Sequence, residues 1–290
     1  MRRNITTVLV AVASLSMVFA ACGKSKSTNM LAPTAPNLPA ALKSSGVLRI
    51  GSDIEYAPNE FYKEGTEVAQ GMDVDLGNAL AKELGLKAKF IDDTDFAGII
   101  GAMNSGRFDI IMSSMSDNKD RQASVDFIDY FTAGSSILVQ KGNPKNIKTV
   151  DDLCGNTVAV QKGTTQDTDI LTPQVAKCPA GKALNILRFD KDTDALQQVK
   201  DGRAVANLED FPVAAYNAKT SNSGKDFDVV GQQIGSAPYG IAVPKTQSAL
   251  LSLLQTALRK LISNGTYDTI LKNWSLTDGA LKTAAINGGA

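Results

Sequence analysis

The 290-residue chain contains no histidine. That absence excludes Ser-His-Asp and Cys-His nucleophile activation, imidazole-based metal sites and an imidazole pH switch. Aromatic residues make up only 6% of the chain, and thirty acidic residues cancel thirty basic ones without a long run of either sign. The field that gathers nucleic acid is therefore missing, and no nucleic-acid partner is expected. Phosphate-cradling patterns are missing as well: Gly71 and Gly77 do not complete G-x-G-x-x-G, and G-x-x-x-x-G-K-[ST] does not occur. Asp190, Asp192 and Asp194 imitate the start of a calcium loop, but Ala195 and Asp201 stand where that loop needs glycine and glutamate. Helix capping is the better reading of these aspartates, and no cofactor or metal is expected.

What is present begins with a leader. Arg2 and Arg3 precede an apolar run from Val8 to Ala21 that is too short for a bilayer span and ends in small residues, the pattern of an export signal over residues 1–21. The stretch Val18-Phe19-Ala20-Ala21-Cys22-Gly23 resembles a bacterial lipoprotein signal, which implies acylation of Cys22 and attachment to the outer face of the cell membrane. Phe19 departs from the leucine usual there, and an ordinary cleaved signal is the alternative. Residues 22–45, with Pro33, Pro36 and Pro39 among Ser, Lys, Thr and Asn, read as a tether. Export places Cys154 and Cys178 in an oxidising compartment, where a disulfide between them is expected and two buried thiols are the alternative.

The remainder, 43% hydrophobic across the whole chain, alternates strand and helix. Val47–Ile50 reads as a strand, Leu76, Leu80 and Leu84 mark a helix ended by Gly85, and Leu86–Phe90 returns as a strand. Asp95 is placed to cap a helix carrying Phe96, Ile99, Ile100 and Met103, followed by a strand over Phe108–Met112. The same grammar recurs with Thr157–Val160, a helix to Val199, and Ala204–Leu208; Tyr239–Val243 is a further strand before two C-terminal helices. The expectation is an α/β protein of two lobes.

In open α/β sheets, ligands sit beyond the carboxyl ends of strands. There the strand ending at Met112 runs into Ser113-Ser-Met-Ser-Asp-Asn-Lys-Asp-Arg121, and the strand ending at Val160 runs into Gln161-Lys-Gly-Thr-Thr-Gln166. Hydroxyls, free amides and one guanidinium suit a carboxylate, because Arg121 can donate two parallel charge-assisted hydrogen bonds. Taken alone, an arginine such as Arg121 is more often a surface ion pair than a ligand grip.

The order and spacing of Ser52-Asp53-Ile54-Glu55-Tyr56-Ala57-Pro58, Gly71-Met-Asp-Val-Asp-Leu76, Ser113-Ser-Met-Ser116 with Arg121, Val125-Asp-Phe127, Val160 to Gln166, and Leu208-Glu-Asp210 resemble the extracytoplasmic solute-binding proteins (family 3) of polar amino-acid ABC importers over about residues 46–275. The resemblance implies a type II periplasmic-binding-protein-like clamp: residues 46–135 plus 236–290 as one lobe, 138–233 as the other, each a sheet flanked by helices. It implies that Arg121 grips an α-carboxylate with Ser114, Ser116 and Thr165, that Asp210 accepts the α-ammonium, and that Tyr56 and Phe96 flank the side chain. Asp53, Glu55 and Gln161 would face the distal end of the ligand, which favours a basic or amide amino acid. Helix capping by Asp210 and plain core roles for Tyr56 and Phe96 remain the alternatives; Trp274 reads as core. The implied partners are a free amino acid, the permease subunits in the membrane and the lipid anchor, with the protein itself a monomer. An exported dehydratase-like enzyme on the same clamp would need Asp53, Glu55 or Glu209 as acid or base. A ligand-sensing surface lipoprotein is the third reading.

Overall fold

The computed structural model describes residues 37–290; the expected export signal and Cys22 lie outside the described residues. The chain enters through helix α1 (Ala40–Ser45) and strand β1 (Val47–Gly51). A small antiparallel sheet follows, β2 (Glu55–Tyr56), β3 (Glu60–Tyr62) and β4 (Ala69–Gln70), then α2 (Met72–Glu83), β5 (Lys87–Ile91), α3 (Ile99–Asn104), β6 (Ile110–Ile111) and α4 (Lys119–Gln122). The 16-residue strand β7 (Val125–Gln140) leads to β8 (Thr157–Gln161), α5 (Thr172–Lys177), β9 (Asn185–Phe189), α6 (Asp192–Lys200), β10 (Ala206–Asp210) and α7 (Phe211–Thr220). The 18-residue strand β11 (Phe227–Pro244) returns, followed by α8 (Ser248–Ser263) and α9 (Thr266–Asn273).

The hydrogen-bonded strand order is β5-β1-β6-β11-β7-β10-β8-β9. β5 and β6 run parallel to β1, and β9 and β10 run parallel to β8, as β-α-β units require. The two long strands join these halves, and the apolar cores separate where they cross. Leu48, Ile50, Leu76, Leu80, Tyr130, Tyr239, Leu254 and Leu258 belong to one core, with α2, α8 and α9 packed on its sheet. Ile137, Val139, Val158, Val160 and Leu208 belong to another. The α2 leucines lie at four-residue spacing because only one stripe of that helix faces the sheet. Cys154 and Cys178 are disulfide-bonded, with Cα atoms 5.4 Å apart.

Several local expectations shift. The helix expected from Phe96 begins as a single 3-10 turn at Phe96–Gly98, and Asp95 makes no side-chain cap bond. Only Ile110 and Ile111 of the expected Phe108–Met112 strand lie in ladder register with β1 and β11, although the Asp109 and Met112 N–H groups also donate to the Arg49 and Gly51 carbonyls of β1. Tyr239–Val243 is the last third of β11. Its earlier part is hard to read as strand: register shifts interrupt the pairing between Val230 and Ala237, where Ile234 packs against the second core but its glycine, glutamine and serine neighbours give no apolar alternation. Trp274 is only partly buried: it packs against the first core, its indole N–H donates to Asp75 at 2.8 Å, and it stands edge-on to Phe61.

Candidate functional site

Between the lobes, the carboxyl ends of β1, β6, β8 and β10 converge. Asp53, Tyr56, Phe96, Ser114, Ser116, Arg121, Gln161, Thr165 and Asp210, nine of the ten residues expected there, line one pocket. Glu60, Ser113, Thr164 and Gln166 line it too. The lobes touch across it, leaving about 20 Å³ of free space. That is room for a water molecule, so a larger ligand enters only when the lobes part.

Arg121 stands on α4, whose N-cap Asn118 accepts from the Arg121 backbone N–H at 2.9 Å. The C-terminal segment pins this helix: Lys119 Nζ and Gln122 Nε2 both donate to the Gly289 carbonyl, at 2.9 and 3.1 Å. The guanidinium lies over the Phe96 ring, 5.3 Å from its centroid, and donates to the Ser116 carbonyl at 2.8 Å and across the cleft to the Gly163 carbonyl at 3.1 Å. Burial lowers its pKa to about 10, against the pull of Asp169, Asp210 and Asp117, so it stays charged at neutral pH. Gly163 has φ +80, and a Cβ there would lie 2.9 Å from the Ala97 side chain. Close approach of the lobes at this point therefore requires glycine.

Asp210 ends β10 on the opposite lobe. Gln166 Nε2 donates to its Oδ1 at 2.8 Å, the Tyr56 hydroxyl faces its Oδ2 at 3.3 Å, and the Asp210 N–H donates to that hydroxyl at 2.8 Å. Asp210 occupies the N-cap of α7 without a side-chain cap bond, which removes the capping alternative and leaves the carboxylate turned to the pocket. Burial pushes its pKa up to about 6, opposed by hydrogen bonds to it and by the Arg121 charge.

The floor of the pocket is acidic. Glu60 accepts from Ser113 Oγ at 3.3 Å and Ser114 Oγ at 2.9 Å; Asp73, beneath it, accepts from the Ser114 N–H at 2.9 Å and Tyr130 Oη at 2.7 Å. Ser114 reaches both because its backbone adopts the left-handed φ of 47°, a strained conformation for serine. Burial, then the Asp73 charge, holds Glu60 well above the usual carboxylate range, and burial raises Asp73 to about 6. Among the described residues, no ion pair involves either acid. Asp53 is engaged by the other lobe: its Oδ2 accepts from Gln161 Nε2 at 2.6 Å and its Oδ1 from Lys191 Nζ at 2.5 Å. Its pKa is raised by burial, partly offset by Lys191.

Glu55 departs from expectation. It faces away from the ligand pocket and accepts from the Asp192 N–H at 2.9 Å and Thr193 Oγ1 at 2.8 Å, capping α6 from the opposite lobe. Asp192 caps nothing with its side chain; it is buried against Asn207, whose Nδ2 donates to it at 3.3 Å. Glu60 and Gln166 escaped the sequence reading, although an acid two residues after Pro58 and an amide closing the Gly-Thr-Thr loop were visible signals.

Two α/β lobes joined by two long crossing strands, with a guanidinium on one lip and a carboxylate on the other, define a two-lobed solute-binding protein of type II. Residues 48–277 match the bacterial extracellular solute-binding proteins, family 3, and the chain belongs to that family. It is 34% identical over 252 residues to the arginine-binding protein ArgT of Corynebacterium glutamicum, covering 86% of this chain and 81% of that one. Against the ABC transporter glutamine-binding protein GlnH of Bacillus subtilis, identity is 34% over 216 residues, covering 73% and 74%. An ancestral arginine-binding protein, solved bound to arginine, superposes with a TM-score of 0.72 at 38% identity, covering 79% of this chain and 98% of that one. The family is extracytoplasmic, and no helix among the described residues is long and apolar enough to cross a membrane.

Proposed function

We infer that the protein captures a free amino acid with a cationic side chain, L-arginine fitting best, and hands it to the permease subunits of an ABC importer. The observation that carries this reading is the acidic floor: Glu60 and Asp73 are buried beside Asp53, and among the described residues Lys191 is the one basic group paired with the three. Buried acids in such excess are stabilised by a cation brought by the ligand.

In this reading Arg121 binds the α-carboxylate with Ser116 and Thr165, Asp210 takes the α-ammonium, Tyr56 and Phe96 flank the aliphatic stem, and Glu60 receives the guanidinium. Arg121 and Asp210 stand on lobes formed by residues 46–135 with 236–290 and by 138–233, so ligand stabilises the closed form over the open one. Binding without chemistry, export by residues 1–21 and a membrane anchor at Cys22 complete the proposal. The relatives named for arginine and glutamine binding support an amino-acid ligand. A thermal-shift screen of the protein against the common amino acids plus ornithine tests it. Arginine is expected to give the largest rise in melting temperature, absent in Arg121→Ala; no rise with any amino acid overturns the reading.

A further inference from the structure

Asp210 and Phe211 are consecutive, yet they face different cavities. Asp210 lines the amino-acid pocket, whereas Phe211, the first residue of α7, lines a second and larger cavity of about 490 Å³. Pro58 lines this second cavity too, while its chain neighbours Tyr56 and Glu60 line the first. Two shared turns thus wall off the two spaces.

The second cavity is lined mainly by apolar and aromatic groups, among them Phe131, Phe211, Pro212 and Trp274. Its size lies within the range of small-molecule sites, about 300–1,000 Å³. The Trp274 indole N–H is already bonded to Asp75, so that side chain offers the cavity only its apolar surface. Two opposite charges complete the lining, Lys219 and Asp278, and neither takes part in an ion pair among the described residues. An aromatic wall with one free cation and one free anion is complementary to a small zwitterion with an aromatic body.

The walls belong to both lobes and to both crossing strands: Trp274 and Asp278 from the first, Phe211 and Lys219 from the second, Thr132 on β7 and Gln233 on β11. The shape of the cavity therefore depends on the angle between the lobes. Here the lobes are closed on each other through Gln161 and Asp53, Lys191 and Asp53, and Asp192 and Glu55, and in this arrangement the cavity is open. We propose that this cavity is a second ligand site for a small aromatic zwitterion, and that its occupancy strengthens binding in the amino-acid pocket. A ligand that fits the cavity of the closed form shifts the population toward closure, and the coupling is reciprocal.

The probe is L-phenylalanine, titrated calorimetrically into the full chain with and without saturating L-arginine. Saturable binding is expected in native protein and in Arg121→Ala, which separates this site from the cleft. Binding should weaken at least tenfold in Ala215→Trp, which fills the cavity, and also in Lys219→Glu, an exposed change that leaves the fold alone. Phenylalanine should tighten arginine binding by about fivefold or more. Absence of saturable binding, its loss in Arg121→Ala, or its survival in both Ala215→Trp and Lys219→Glu overturns the second site. Saturable binding that leaves arginine affinity unchanged overturns the coupling.

Discussion

The Glu55 carboxylate caps a helix that belongs to the other lobe, accepting the Asp192 N–H at 2.9 Å. A carboxylate at a helix N-terminus meets unpaired N–H groups and the positive end of the helix dipole. Because this cap bridges the cleft, it exists only when the lobes meet, and it ties closure to a residue outside the ligand pocket.

Removing that bridge should weaken ligand binding without touching the ligand. Loss of an N-cap costs about 1 kcal/mol, which corresponds to about fivefold in affinity. Glu55→Ala is expected to raise the Kd for arginine by about that factor in calorimetry, while Glu55→Gln, which keeps an acceptor, should recover most of it. An unchanged Kd in Glu55→Ala would show that the bridge does not contribute to closure.

Stability should fall as pH rises from about 5 to about 8. Glu55 is pushed from 4.5 to about 7 by burial and then by the Asp53 charge, Asp192 from 3.8 to about 6 by burial, and Asp210 from 3.8 to about 6 by burial. A carboxyl whose folded pKa is raised contributes its stability below its unfolded pKa and loses it as pH climbs through the folded one. The melting temperature without added ligand is expected to be higher at pH 5 than at pH 8, with a shallower slope in Glu55→Gln. A melting temperature that rises over this range would contradict the assignment.

Arginine binding should release protons. Burial and then the Asp73 charge raise the Glu60 pKa well above the usual carboxylate range, and an incoming guanidinium favours its ionised form. Calorimetric titrations in buffers of different ionisation enthalpy are expected to show proton release near pH 7, and arginine affinity to increase with pH. Both effects should shrink in Glu60→Gln, and a proton uptake would contradict the role given to Glu60.

Reduction should destabilise the second lobe. The Cys154–Cys178 bond spans 24 positions, and a loop of that length contributes on the order of 3 kcal/mol by restricting the unfolded chain. Dithiothreitol, or Cys154→Ser with Cys178→Ser, is expected to lower the melting temperature by several degrees. An equal melting temperature with and without the bond would show that the loop is ordered by other contacts.

The stretch that carries Arg121 stood out in the sequence because it follows the apolar run ending at Met112, whereas Asp210 was indicated only by the family resemblance. The floor was not legible, because Glu60 lies in a three-residue strand of a small sheet that carries no periodic signal. Glu55 was assigned to the ligand because adjacency to Asp53 and Tyr56 in sequence says nothing of which way a side chain leaves a turn. The crossing strands were half visible: Ile137–Val139 and Tyr239–Val243 sit over apolar cores, but Thr132–Ser136 and Gly231–Ser236 touch those cores only through Ala133 and Ile234. A clamp is thus least readable where it bends.

We propose that one small zwitterion is held at once by Arg121 from one lobe and Asp210 from the other. The most direct measurement of this is a calorimetric titration of L-arginine into native protein, Arg121→Ala and Asp210→Asn under one buffer condition. Breaking one side of a buried charged contact costs about 2–5 kcal/mol, so each variant is expected to bind at least about thirtyfold more weakly than native. Native-like affinity in either variant would contradict the account.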